Sequence, residues 1–274
     1  MKIITQELFD PCFNEKKIKV FMRRLDLISN PVSGNKYFKL KYNIDYAIKS
    51  KKNTIITFGG AYSNHILATS IISKENNLKS IGLVRGEETL PLNSTLTDAV
   101  KNGMEIIYLS RKNYRKINDE EYLNQLRIKY KKSYIIPEGG TNSLAIRGTE
   151  SIIKSDEKFE YICCPIGTGG TISGIINSSN HNQKIIGFSA IKGVKNIIDN
   201  ISNNVNKDNW NINEDYCQNG YAKISKDLID FIYNFYETKN IPLDAIYTGK
   251  MMMGVLDQIK KNKFTSGSNI LIIH

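Results

Sequence analysis

Lys36 stands in the stretch "NPVSGNKYFKLKYNI" (residues 30–44) directly behind Asn35, a side chain of the type that caps helices, and Tyr37, Leu40, Ile44 and Ala47 then recur at helical spacing. This pattern makes Asn35 the cap and Lys36 the first helical residue, where the positive end of the helix dipole disfavours a cation. A lysine held at such a place is suited to spending time as a neutral amine, the form that attacks a carbonyl and makes an imine. Its neighbours Lys39 and Lys41 read as solvated charges. On its own Lys36 reads more readily as one more surface lysine, and it takes meaning only from a second feature.

That feature is a set of three apolar runs that end in a glycine pair and a polar helix start: "TFGGAYSNH" (57–65), "PEGGTNS" (137–143) and "PIGTGGTISG" (165–174). Ligands of open α/β sheets lie at the carboxyl ends of the strands, so three such turns predict a shared site. In the third, Gly167, Gly169 and Gly170 permit close backbone approach while Thr168 and Thr171 add hydroxyls at a helix start, which makes a cradle for one phosphate. It is not a Walker loop, because no Gly-Lys-Ser/Thr follows, and not GxGxxG, because Ile172 occupies the last glycine position. In the first turn Ser63 and Asn64 could offer a hydroxyl, an amide and backbone N–H groups to a carboxylate or a ring oxygen, although taken alone an ordinary N-cap is the preferred reading. His65 reads as a structural hydrogen-bonding residue, and a serine hydrolase is disfavoured by the lack of G-x-S-x-G and by only three histidines. Lys36 bonded to a cofactor aldehyde, with the cofactor phosphate in the Gly167–Thr171 cradle, would use both features.

These residues must be positioned by a chain in which short β-branched runs alternate with amphipathic helical patterns. "TIITF" (54–58), "SIGLV" (80–84), "EIIYL" (105–109) and "YII" (134–136) are followed by helical patterns near 64–75, 93–102, 119–130 and 144–155. "YICCPI" (161–166), "IIGFSAI" (185–191) and "NILII" (269–273) continue the series, which predicts an α/β protein with mostly parallel sheets flanked by helices. The charged stretch "SDEKFE" (155–160) is the candidate domain crossing. The final strand finishes at His274, which suggests an edge strand or, preferably, a chain stopping a few residues short of a complete domain.

With 38 Lys and Arg against 27 Asp and Glu, the net charge of +11 raises nucleic acid as a partner, but the lysines are scattered and the basic stretch 111–132 is broken by Asp119, Glu120 and Glu121. No nucleic-acid partner is expected. Cys12, Cys163, Cys164 and Cys217 lack CxxC spacing and read as reduced core residues, no metal site is expected, and no apolar run reaches membrane length. A cytoplasmic enzyme without membrane partners is the expectation.

Taken in order, "RRLDLISNPVSGNKYFKLKYN", "TFGGAYSNHILATS", "IPEGGTNSLAIRG", "PIGTGGTISG" and "PLDAIYTGKMMMGV" resemble the 1-aminocyclopropane-1-carboxylate deaminase and D-cysteine desulfhydrase family, over nearly the whole chain. These are fold-type II pyridoxal-phosphate enzymes related to the tryptophan synthase β chain. The resemblance implies two open, mostly parallel sheets with pyridoxal 5'-phosphate held between the domains: a larger domain from 1–42 and 151–274, and a smaller one from 43–150. It further implies a homodimer and a small amino-acid substrate.

Carried over by match, Lys36 is the Schiff-base lysine and moves protons at the substrate carbon. Asn64 bonds the pyridine 3′-oxygen, while Ser63, Asn64 and the His65 amide receive the substrate carboxylate. Gly167, Thr168, Gly169, Gly170 and Thr171 match the phosphate loop, Tyr247 faces ring and substrate, and Thr248 lies beside the pyridine nitrogen. Cyclopropane deaminases resemble "YEGK" where this chain has "YTGK", and a neutral Thr248 implies the desulfhydrase branch: α,β-elimination from D-cysteine to pyruvate, ammonia and sulfide. The alternatives are a 1-aminocyclopropane-1-carboxylate deaminase releasing 2-oxobutyrate and ammonia, and a truncated homologue that binds the cofactor with little activity.

Overall fold

The computed structural model describes residues 3–28 and 32–274, and the chain divides into two compact units. Unit 1 is the chain up to Ile28 together with Thr149–His274, and unit 2 is the stretch between them. In chain order, unit 1 opens with β1 (Ile4–Leu8), α1 (Pro11–Glu15) and β2 (Lys19–Arg24). Unit 2 contains α2 (Asn35–Lys49), β3 (Thr54–Gly60), α3 (Asn64–Glu75), β4 (Lys79–Arg85), α4 (Ser94–Lys101), β5 (Met104–Leu109), α5 (Arg111–Tyr114), α6 (Glu120–Lys129), β6 (Ser133–Ile136) and α7 (Ser143–Thr149) except its last residue, which belongs to unit 1. Unit 1 resumes with β7 (Tyr161–Ile166), α8 (Gly170–Ser178), β8 (Lys184–Ser189), α9 (Lys195–Ser202), β9 (Trp210–Asn213), α10 (Lys226–Lys239), α11 (Thr248–Lys260) and β10 (Asn269–Ile273).

The sheet of unit 2 has the order β5-β4-β3-β6 and is parallel throughout. Its central strand is apolar at successive positions because both faces are covered. Ile55 packs with Leu40, Ile44 and Ala68 on one face, whereas Ile56 and Phe58 pack with Leu83, Tyr114 and Leu126 on the other. Each such fully buried side chain contributes about 1.5–3 kcal/mol relative to exposure.

The sheet of unit 1 has the order β1-β2-β10-β7-β8-β9, antiparallel at β1–β2 and parallel elsewhere. Its core joins Met22, Cys163 and Ile272 of three adjacent strands to Met251, Met252, Val255 and Ile259 of α11. Pro165, which cannot donate to a ladder, lies beyond the part of β7 that pairs with β10, so a proline is tolerated in an interior strand.

Three expectations about organisation are corrected. The crossings fall at 28/29 and 148/149, not at 42/43 and 150/151 or in the 155–160 stretch. A cut at 42/43 would sever α2, whose buried face (Phe38, Leu40, Asn43, Ile44, Ala47) runs through that point. The helix expected over 144–155 ends at Thr149 and gives way to a 3-10 turn, Glu150–Ile152. Finally, "NILII" is an interior strand and not an edge, since β10 pairs with β2 on one side and β7 on the other, with Ile270–Ile273 all buried.

Candidate active site

In unit 2 the candidate residues sit at the starts of α2 and α3. The cap of α2 is Gly34, not Asn35: Gly34 has φ +70, a left-handed conformation open to glycine, and Asn35 is already the first helical residue. Lys36 therefore moves to the second helical position, still within the first turn and partly exposed. Lys39, expected in solvent, is instead 2% exposed, and its ammonium donates to the Gly139 carbonyl at 2.8 Å and the Thr141 hydroxyl at 3.0 Å. The glycine turn 137–143 thus closes on α2. Asn43, one turn further along the same face, donates to the Lys39 carbonyl and accepts from Tyr134 and Asn142, so every polar group along this face is paired.

Helix α3 begins where β3 ends. Ser63 is its cap and accepts from the Ile66 amide at 3.4 Å, which leaves its hydroxyl proton to be donated elsewhere. Asn64 is the first helical residue, and Gly59 lets the turn fold back, since a Cβ there would lie 2.7 Å from the Ser63 hydroxyl. His65 is buried beneath this turn. The single proton of the Thr57 hydroxyl goes to the Ile136 carbonyl at 2.9 Å, so the Thr57 oxygen accepts and His65 Nε2 must be the donor across their 2.8 Å contact. This assigns the Nε2–H tautomer and leaves Nδ1 without a hydrogen-bond partner among the described residues. Burial, then the charges of Lys36 and Lys39, holds the imidazole well below its ordinary value of 6.5, hence neutral. Gly140, at φ +72, completes the packing: a Cβ there would stand 2.9 Å from the ring.

In unit 1, β7 runs through Gly167–Thr171 into α8. Gly169, at φ +90, is the cap of α8; the helix has neither a side-chain cap nor an acidic residue in its first turn. A Cβ on Gly169 would lie 3.0 Å from Ile201, and one on Gly167 3.2 Å from the Tyr247 ring. The turn is braced from outside, with Asn200 donating to the Thr168 carbonyl and Thr149 to the Gly170 carbonyl. A helix N-terminus without a carboxylate, opened by glycines and flanked by Thr168 and Thr171, fits a phosphate monoester.

Tyr247 and Thr248 head α11. The Thr248 hydroxyl donates to Asp244 at 2.7 Å and accepts from the Asp244 amide at 2.9 Å, while the same carboxylate caps the amides of Ile246, Tyr247 and Thr248. Two residues here carry no sequence expectation. Asp244 is visible in hindsight as an acid before a helix start, and Tyr221, whose ring meets Tyr247 with centroids 6.2 Å apart, follows a Gly in an otherwise undistinguished loop. The candidates therefore form two groups: Lys36, Ser63, Asn64 and His65 in unit 2, and Gly167, Thr168, Gly169, Gly170, Thr171, Tyr247 and Thr248 in unit 1.

The chain can now be set beside known proteins. Residues 11–274 match the family described as "Pyridoxal-phosphate dependent enzyme". The bifunctional D-cysteine desulfhydrase/1-aminocyclopropane-1-carboxylate deaminase of Arabidopsis thaliana is 30% identical, covering 93% of this chain and 71% of that protein. A 1-aminocyclopropane-1-carboxylate deaminase of a Bradyrhizobium species is 26% identical over 94% of this chain and 86% of its own. The crystal structure of a homologue of that deaminase superposes with a TM-score of 0.85 at 25% identity, covering all of this chain and 89% of the other. Among the described residues no helix is long and apolar enough to cross a membrane. A glycine-opened helix start that fits a phosphate, a two-sheet α/β fold and a match over almost the whole length lead to one conclusion: the chain belongs to the pyridoxal-phosphate-dependent enzymes, as a lyase of the 1-aminocyclopropane-1-carboxylate deaminase and D-cysteine desulfhydrase type.

Proposed function

We propose that the enzyme eliminates the β-substituent of a small D-amino acid, with D-cysteine as the favoured substrate. Breaking Cα–H and Cβ–S, followed by addition of one water, yields pyruvate, ammonia and sulfide. The observation that carries this choice is Thr248: its hydroxyl is neutral, and its one proton is already donated to Asp244. A neutral group there suits loss of a leaving group from Cβ better than opening a cyclopropane ring, which the resemblance associates with a glutamate.

When bound, pyridoxal phosphate supplies a carbonyl carbon for the substrate amine and a ring that accepts electron density from Cα. The chain's own groups do the rest. Gly167–Thr171 hold the phosphate at the positive end of α8. Lys36 would hold the cofactor through its amine, and the same amine would take the proton from Cα of the substrate. Ser63, Asn64 and the His65 amide orient the carboxylate at the start of α3, and Asn64 also bonds the ring oxygen. A neutral His65 side chain beneath that turn adds no third cation to Lys36 and Lys39. Tyr247 would cover ring and substrate, and Thr248 would stand by the ring nitrogen. A homodimer is the assembly proposed.

The second reading, deamination of 1-aminocyclopropane-1-carboxylate, is favoured by the name of the Bradyrhizobium relative. Holoenzyme offered D-cysteine, L-cysteine and 1-aminocyclopropane-1-carboxylate separates the two. Sulfide with pyruvate from D-cysteine alone supports elimination; 2-oxobutyrate as the faster product replaces it with ring opening. Cofactor binding without turnover of any of them would mark a homologue that has lost its activity.

A further inference from the structure

Lys250 is 1% exposed although it lies in the first turn of α11, where neither burial nor the helix dipole favours an ammonium. Its Nζ donates to the carbonyls of Cys217 and Gly220, both at 2.9 Å, and faces the Ala190 carbonyl at 3.5 Å. Three carbonyl oxygens around three ammonium protons favour the charged form, whereas a neutral amine would turn a lone pair toward one of them. Burial pushes its pKa down against this. Two of the three carbonyls belong to a turn of unusual backbone: Gln218, Asn219, Gly220 and Ala222 all have positive φ, at 53°, 66°, 126° and 54°. Such conformations persist only where the surroundings over-determine them, and the lysine is the buried group that grips this turn from inside. The next residue after Gly220 is Tyr221, whose ring meets Tyr247, and Tyr247 in turn fills the space above Gly167.

We propose that Lys250 is a positioning residue: by holding the 217–220 turn it sets the Tyr221 ring against Tyr247, and so shapes the side of the site that receives the substrate side chain. The second clause rests on the reading of Tyr247 given under the proposed function. The lysine touches neither cofactor nor substrate and acts through the turn alone.

Lys250→Met keeps the length of the side chain and removes its donors. In the cofactor-free protein, hydrogen exchange of the 217–223 amides is expected to accelerate by roughly tenfold or more, with β7 and β8 unchanged. In holoenzyme, KM for D-cysteine is expected to rise by roughly tenfold while kcat changes by less than about threefold. Tyr221→Ala should raise KM similarly, and the double variant should be no worse than Tyr221→Ala alone, because both act through one ring. Unchanged exchange in the turn overturns the clamp. Accelerated exchange with KM effects that add overturns the link to Tyr221. Should Lys250→Met not fold, Lys250→Gln, which keeps two donors without charge, carries the same cycle. If wild type turns over none of the substrates, the reading of the function fails instead, and the cycle is run on the dissociation constant of pyridoxal phosphate, where additivity again overturns the proposal.

Discussion

Asp244 and Thr248 close a ring on each other: the Asp244 amide donates to the Thr248 hydroxyl at 2.9 Å, and that hydroxyl donates back to the Asp244 carboxylate at 2.7 Å. The carboxylate also accepts from three backbone amides at the start of α11, so the residue beside the proposed ring nitrogen is oriented by the helix cap itself. Toward any ligand the Thr248 oxygen can only accept, since its proton is spent.

Asp244→Ala removes four acceptor contacts at one helix start and is expected to destabilise the protein by about 2–3 kcal/mol, read by urea denaturation. Thr248→Val strips only the hydroxyl and should lose about 1–2 kcal/mol. Equal losses for the two would show that the cap does not orient α11.

Lys36→Ala should abolish the visible absorbance of the purified holoenzyme and turnover with it, because no amine is left to bond the cofactor carbon. Lys36 is partly exposed, so its removal should shift stability by less than about 1 kcal/mol. Survival of the visible band would exclude Lys36 as the bonding lysine.

Gly169→Ala places a side chain at φ +90 and 3.0 Å from Ile201. A loss of roughly 1–3 kcal/mol of stability is expected, together with weaker binding of pyridoxal phosphate measured by equilibrium titration. Gly34→Ala is the contrast. It shares a positive φ but has open space around it, so it should show backbone strain without a packing clash.

His65 gives stability a pH dependence of definite sign. Its folded pKa lies below the unfolded value near 6.5, so the unfolded chain takes up a proton first as pH falls. The contribution is complete above that value and is lost as pH drops below it, with a slope of up to about 1.4 kcal/mol per pH unit. Thermal melts of wild type and His65→Gln between neutral and mildly acidic pH should diverge in this way. Parallel curves would mean that the ring is charged in the fold.

The sheets were legible because parallel strands buried on both faces are written as unbroken β-branched runs, and each of those in the 54–136 stretch became a strand. The glycine turns were legible as turns, since Gly59, Gly140, Gly167 and Gly169 each stand where a Cβ would crowd a neighbour. What stayed hidden depends on contacts across long separations. Lys39 looks like any solvated lysine until the Gly139 carbonyl, 100 residues away, accepts its hydrogen bond. Tyr221 has no local signal at all, because its place is set by Lys250 and Tyr247. The cap of α2 slipped by one residue for a different reason: Asn35 has the better side chain, but Gly34 has the backbone freedom.

The central position of β10 bears on how the protein is made. Residues 269–273 join a strand from residues 19–24 to one from 161–166, so the middle of the larger sheet is the last of its strands to leave the ribosome. Unit 2 is one uninterrupted stretch and can assemble during synthesis, whereas β2 and β7 wait with one open edge each until residues 269–273 have emerged. Those waiting edges leave backbone groups unpaired, the condition under which nascent chains associate with one another or are captured by chaperones.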